Sequence, residues 1–173
     1  SQSNIKYLEE IPANRKEVIH LGIDTNYIAP KVNGNVQNKE FVIGRVSTII
    51  EKKMPKDLFK VFSDIKVDNK KLKFLVCGTG DDNIIQFLNK EKRKFPDCNI
   101  VIDNDSNVSE KYRNMDCFLY WLPEGESESF GLVIVEAMAA GIPVVAQNKG
   151  ALNEILQHGV NGFLFERMDD INF

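Results

Sequence analysis

Six short apolar runs, each bounded by turn residues, punctuate the chain: FVIG (41–44), LKFLVCG (72–78), NIVI (99–102), DCFLYW (116–121), PVVA (143–146) and GFLF (162–165). Most are continuous rather than alternating, the pattern of strands buried on both faces, as in a parallel sheet covered by helices. Helical patterns lie between them. PKDLFKVFSDI (55–65) opens with Pro55, whose fixed φ suits a first turn. DDNIIQFLNKEKRKF (81–95) begins with acids and ends with bases, matching the helix dipole. FGLVIVEAMAAG (130–141) stops at Gly141 with Pro143 beyond it, and ALNEILQHG (151–159) also ends in glycine. Strands alternating with helices predict an α/β fold, a single doubly wound parallel sheet of about six strands. The ends are less regular. Residues 1–17 read as a tail or an inter-lobe segment, and residues 18–173 as the domain. VIHLGID (18–24) reads as a short strand and turn, and KVNGNVQNKE (31–40) as a polar loop. No helical pattern follows the last strand, which suggests a piece of something larger.

Composition narrows the class. The 173 residues are 43% hydrophobic and 27% charged, suited to one domain with a real core. A net charge of −3 gives no reason to expect nucleic acid. No run of 18 apolar residues predicts a membrane span, and no secretory leader is visible. Cys77, Cys98 and Cys117 lie in or beside apolar runs and read as reduced thiols of a cytoplasmic protein. Lys90, Lys92, Arg93 and Lys94 cluster where a helix should end. A solvated helix terminus explains them; the rival reading is attraction to an anionic membrane surface.

The chemistry concentrates in ESESFGLVIVEAMAAG (126–141). A helix from about Gly131 to Ala140 would be apolar all round except for Glu136, and so buried on most sides. A charged group there needs donors: a basic side chain, backbone N–H groups or the hydroxyls of a ligand. Glu136 falls on the second turn, near the end that carries unpaired N–H groups and partial positive charge, a natural phosphate seat. Glu128 stands in the loop ahead of it. The two carboxylates therefore bracket an anion seat, and a ligand with a central diphosphate and hydroxyls at both ends fits all three features. Gly131 would permit close backbone approach.

Glu128-Ser129-Phe130-Gly131, followed by Glu136-Ala137-Met138-Ala139-Ala140-Gly141-Ile142-Pro143-Val144-Val145-Ala146, resembles the donor-site signature of family-4 glycosyltransferases. Gly150, Glu154, Gly159 and Asn161-Gly162-Phe163-Leu164 continue the likeness. HLGID (20–24) resembles the family's inter-lobe entry segment, IGRVS (43–47) its phosphate-binding element and LKFLVCGTG (72–80) its second strand and glycine turn. The resemblance implies a GT-B enzyme of two Rossmann-like lobes, of which this sequence matches the C-terminal, donor-binding one. An N-terminal acceptor lobe of the same full-length protein would be its partner. It implies transfer of a sugar from a nucleotide-diphosphate sugar to an acceptor with retention, with no metal or other cofactor, and little transfer by this piece alone.

The implied catalytic residues are Glu128 at the donor sugar, with Arg45 and Lys53 neutralising the diphosphate leaving group. Glu136 would meet the ribose. Phe130, Gly131 and Leu132 would offer backbone N–H groups, and Ser129, Gly44, Gly78 and Lys52 complete the implied donor-binding set. The lysine is a departure. The family carries it about five residues after the arginine, then a glycine; here Lys52 and Lys53 stand seven and eight residues on, with Met54 after them. Lys53 better keeps the distance to the next helix. The acidic loop PEGESESFG should turn Glu124 and Glu126 to solvent.

Three other features carry less. Asp103-Asn104-Asp105 resembles a metal-binding DxD, but two acids do not supply the converging oxygens that a hard cation wants. Gly78-Thr79-Gly80 is followed by two aspartates that would repel a pyrophosphate, against a dinucleotide fingerprint. His20 and His158 are assigned no chemistry, and Tyr120 and Trp121 read as core. Two other functions share the architecture: a non-catalytic nucleotide-binding or interaction module, and a nucleotide-sugar epimerase.

Overall fold

The computed structural model describes residues 20–26, 28, 40–68 and 70–171. The tail over 1–17 and most of the polar loop over 31–40 lie outside these residues. All six apolar runs become strands: β1 Glu40–Val46, β2 Lys71–Cys77, β3 Asn99–Asp103, β4 Cys117–Tyr120, β5 Val144–Gln147 and β6 Phe163–Phe165. They form one sheet of order β3-β2-β1-β4-β5-β6, parallel throughout. Of VIHLGID, the described residues 20–24 form no strand.

Each parallel link needs a crossover, supplied by α1 Leu58–Asp64, α2 Asp82–Lys92, α3 Val108–Arg113, α4 Leu132–Ala139 and α5 Leu152–Ile155. The expected helices over 55–65 and 81–95 form as α1 and α2, each shorter at its ends. Asp81 caps α2 by accepting from the Asn83 N–H at 2.7 Å. The helix expected over 151–159 is a single turn. Asn161 takes over the peptide groups beyond it, accepting from Gln157 N at 2.7 Å and donating to Ile155 O at 3.0 Å. Helix α3 has no counterpart in the sequence reading.

The sheet is covered on both faces, which explains the continuous apolar runs. On one side Ile43, Phe74, Val76 and Leu119 pack with Leu58, Phe59 and Phe62 of α1 and Leu88 of α2. On the other Val46, Leu75, Phe118 and Val144 pack with Tyr112 of α3, Ile134 and Ala137 of α4 and Leu152 of α5. Cys77 and Cys117 are buried and Cys98 half-buried, all as free thiols; burial pushes the first two up to about 12. No helix among the described residues is long and apolar enough to cross a membrane.

Candidate functional site

The strand order reverses direction between β1 and β4, and open α/β sheets bind ligands beyond the carboxyl ends of their strands at such a point. A cleft of about 500 Å³ lies there. Its floor is Ser47 and Thr48 after β1, Gly78 and Thr79 after β2, and Tyr120 at the end of β4. Its walls are Lys53, Glu128 to Val133, Glu136 and Leu21. The loops after β1 and β2 run shoulder to shoulder: Ser47 N donates to Cys77 O at 3.0 Å, and a Cβ on Gly78, at φ +139°, would collide with the Ser47 carbonyl.

Helix α4 starts at this cleft. Gly131 precedes it in a left-handed conformation, φ 90°, and no side chain caps it. Its first N–H groups are therefore available at the wall that Leu132 and Val133 line. Of the helix expected to be buried on most sides, Ile134 and Ala137 are buried and the remaining residues half-buried, save Leu132, 39% exposed where the opening turn borders the cleft.

Glu128 is only 9% exposed, yet well supplied with donors. Its Oε2 accepts from Lys53 Nζ at 2.7 Å and from the Tyr120 hydroxyl at 2.8 Å, and its Oε1 accepts from Ser129 N at 3.1 Å. Burial pushes this carboxyl up, but the hydrogen bonds from Lys53 and Tyr120 and the lysine charge outweigh it and hold it below the usual carboxylate range. Such a group is an ionised acceptor, suited to hydroxyl donors. Glu136, half-buried at the same cleft, accepts from the Tyr112 hydroxyl on its Oε2 at 2.7 Å. Its partner is thus a tyrosine, not a core cation, and its Oε1 makes no hydrogen bond among the described residues.

The implied donor set divides. Lys53, Gly78, Glu128, Ser129, Phe130, Gly131, Leu132 and Glu136 line one cleft. Lys52 does not: it sits exposed in the short turn Glu51–Lys53 while its neighbour turns inward. Gly44 lies in the interior of β1, where a Cβ would collide with Met115, so its smallness serves packing. Arg45 is wholly buried behind the cleft wall and is not among its lining residues. Its guanidinium lies 4.6 Å from the Tyr120 ring centre and 5.3 Å from that of Trp121, and Nη2 donates to the Lys53 carbonyl. Nε and Nη1 have no partner among the described residues, and burial lowers the group to about 10. Arg45 therefore touches both residues that hold Glu128 Oε2. Glu124 is exposed, Glu126 is half-buried, and neither lines the cleft.

Two residues read as packing or passed over emerge at the site. Tyr120 is core by burial, but its hydroxyl reaches Glu128. Tyr112 rides on α3; the need for a crossover between two parallel strands was the available signal for that helix. The Asp103–Asp105 turn faces a cation of the protein itself, Lys111 Nζ, at 2.6 Å from Asp103 and 3.6 Å from Asp105. Among the described residues no group of three or more His, Cys, Asp or Glu could hold a metal.

A profile of the glycosyl transferases group 1 family matches residues 30–173. The chain belongs to the group 1 glycosyl transferases. It is 30% identical over 133 residues to N-acetyl-alpha-D-glucosaminyl L-malate synthase of Bacillus anthracis, covering 76% of this chain and 33% of that protein. It is 28% identical over 153 residues to the capsular polysaccharide biosynthesis glycosyltransferase CapM of Staphylococcus aureus, covering 85% and 38%. This group 1 glycosyl transferase chain thus spans about a third of the length of these relatives. HepE of Anabaena, solved in complex with UDP and glucose, superposes with a TM-score of 0.71 at 24% identity over 86% of this chain and 42% of that one. The C-terminal domain of LpcC from Francisella tularensis gives 0.65 at 24%, covering 86% and 83%. The likeness establishes a Rossmann-like, GT-B type fold.

Proposed function

We propose that the protein is the donor-binding lobe of a retaining family-4 glycosyltransferase, which takes a nucleotide-diphosphate sugar and, with an N-terminal acceptor lobe, passes the sugar to an acceptor. One observation carries this reading: a lysine, an uncapped helix start and two carboxylates line one cleft at the switch point of the sheet. The diphosphate would lie against the start of α4 near Lys53, the ribose diol at Glu136 and the sugar toward Glu128. The neighbour HepE, solved with UDP and glucose, supports the ligand class.

The chemistry follows from the charges. When the glycosidic bond breaks, its electron pair stays on the leaving phosphate oxygen, and the Lys53 ammonium with the N–H groups of α4 offset the charge that develops there. Glu128, ionised and held by three donors, orients hydroxyls and does not donate a proton. Retention rests on the family resemblance, and the roles require no metal.

Calorimetric titration with UDP-, GDP- and ADP-sugars tests the reading. One of them should bind, and Glu136→Ala should weaken it about tenfold or more, the loss expected for a hydrogen bond to a charged group. Unchanged affinity in that variant, or a ligand located away from α4, would overturn it. In the complete protein the same substitution should abolish transfer in an enzyme and spare the role of a non-catalytic module.

A further inference from the structure

We infer that Tyr112 is a positioning residue for ribose recognition, its hydroxyl holding one oxygen of Glu136 so that the other is kept for a vicinal diol. This rests on the donor-site reading of the cleft. Tyr112 is completely buried on α3, and its ring packs against Phe118 with centroids 5.9 Å apart. The ring is fixed among core residues, so only the hydroxyl proton can choose its direction. It has two acceptors: Glu136 Oε2 at 2.7 Å and the Val133 carbonyl at 3.3 Å. The carbonyl alone would satisfy the buried hydroxyl, so the shorter bond to a carboxylate at the cleft edge is more than a core tyrosine requires. Burial and the adjacent carboxylate raise the phenol far above its ordinary value, so it remains a donor. The same device recurs at the other glutamate, where the buried Tyr120 hydroxyl holds Glu128 Oε2 at 2.8 Å. A carboxylate held by one oxygen cannot turn freely, and a diol then meets a pre-set acceptor instead of one that must be ordered on binding.

The test is calorimetric titration of the protein with whichever of UDP, GDP and ADP it binds best, and with an analogue of that nucleotide lacking both ribose hydroxyls. The wild type should prefer the parent nucleotide. Tyr112→Phe should cut that preference about fivefold to tenfold, within the range of one ordinary hydrogen bond because Glu136 itself remains, while leaving affinity for the analogue and the melting temperature nearly unchanged. On a Glu136→Gln background, Tyr112→Phe should change the preference no further. Glu136→Asp keeps the charge but withdraws it from Tyr112 without touching the core, and it should lose the preference as well. Full preference retained in Tyr112→Phe or in Glu136→Asp overturns the inference, as does equal weakening of both probes in Tyr112→Phe. A wild type that binds neither probe, or does not distinguish them, overturns the donor-site reading itself and this inference with it.

Discussion

Glu128 shows how a nearly buried acid is kept charged. Taking a carboxylate out of water is costly unless it is paired and hydrogen-bonded. Here Lys53, Tyr120 and the Ser129 N–H supply the compensation. Its folded form holds a proton less readily than the unfolded chain does. The resulting stability is present above the ordinary carboxylate value of about 4.3 and is lost as the pH falls through the depressed one. Thermal melts between roughly pH 5 and 3 should therefore decline less steeply in Glu128→Gln than in the wild type. Asp103, held low by Lys111, will keep part of the slope in both. Equal slopes would mean that the Lys53 pair contributes nothing to folding. At this scale the sequence supplied the residue types, while the donors remained open. Glu136 was expected to meet a basic side chain, backbone N–H groups or ligand hydroxyls, and the protein partner found is none of these but a tyrosine, from an element that no periodicity announced.

At the scale of elements, local patterning was a reliable guide to strands and a poorer one to short helices. The inner strands are apolar on both faces because helices cover both, and that signal survives in any register. Helix α3 is six residues long with charged Glu110, Lys111 and Arg113 beside buried Ser109 and Tyr112, too short to build a period. The glycines divide by the same logic. Gly78 closes the turn after β2 against the backbone of the neighbouring turn, where no side chain can move aside. Gly78→Ala should lower stability by about 2 kcal/mol or more and weaken nucleotide-sugar binding with it, since the floor of the cleft must shift. Chemical denaturation and calorimetry check the two effects, and a variant as stable as the wild type would show that the turn opens freely.

Over the whole molecule, the doubly wound order brings the ends of β1, β2 and β4 and the start of α4 to one edge, where a ligand meets residues from distant parts of the chain. Transfer in addition requires a group to receive the sugar, which our reading assigns to a second lobe. The chain by itself should bind donor while turning over little or none of it in the presence of acceptor extracts. A protein carrying both lobes should transfer. Radiolabelled sugar incorporation distinguishes them, and turnover by this chain comparable to a complete enzyme would overturn the division of labour. What the sequence determined was the sheet, the two-sided burial and the Glu128–Glu136 signature, because hydrophobic period and motif spacing are properties of neighbouring residues. Only the tertiary structure decided that Lys53 reaches inward and Lys52 does not, that Arg45 lies behind the wall, and that a buried tyrosine holds each glutamate. Those outcomes depend on distances between groups as far apart in sequence as Lys53 and Glu128, 75 residues, which no local pattern encodes.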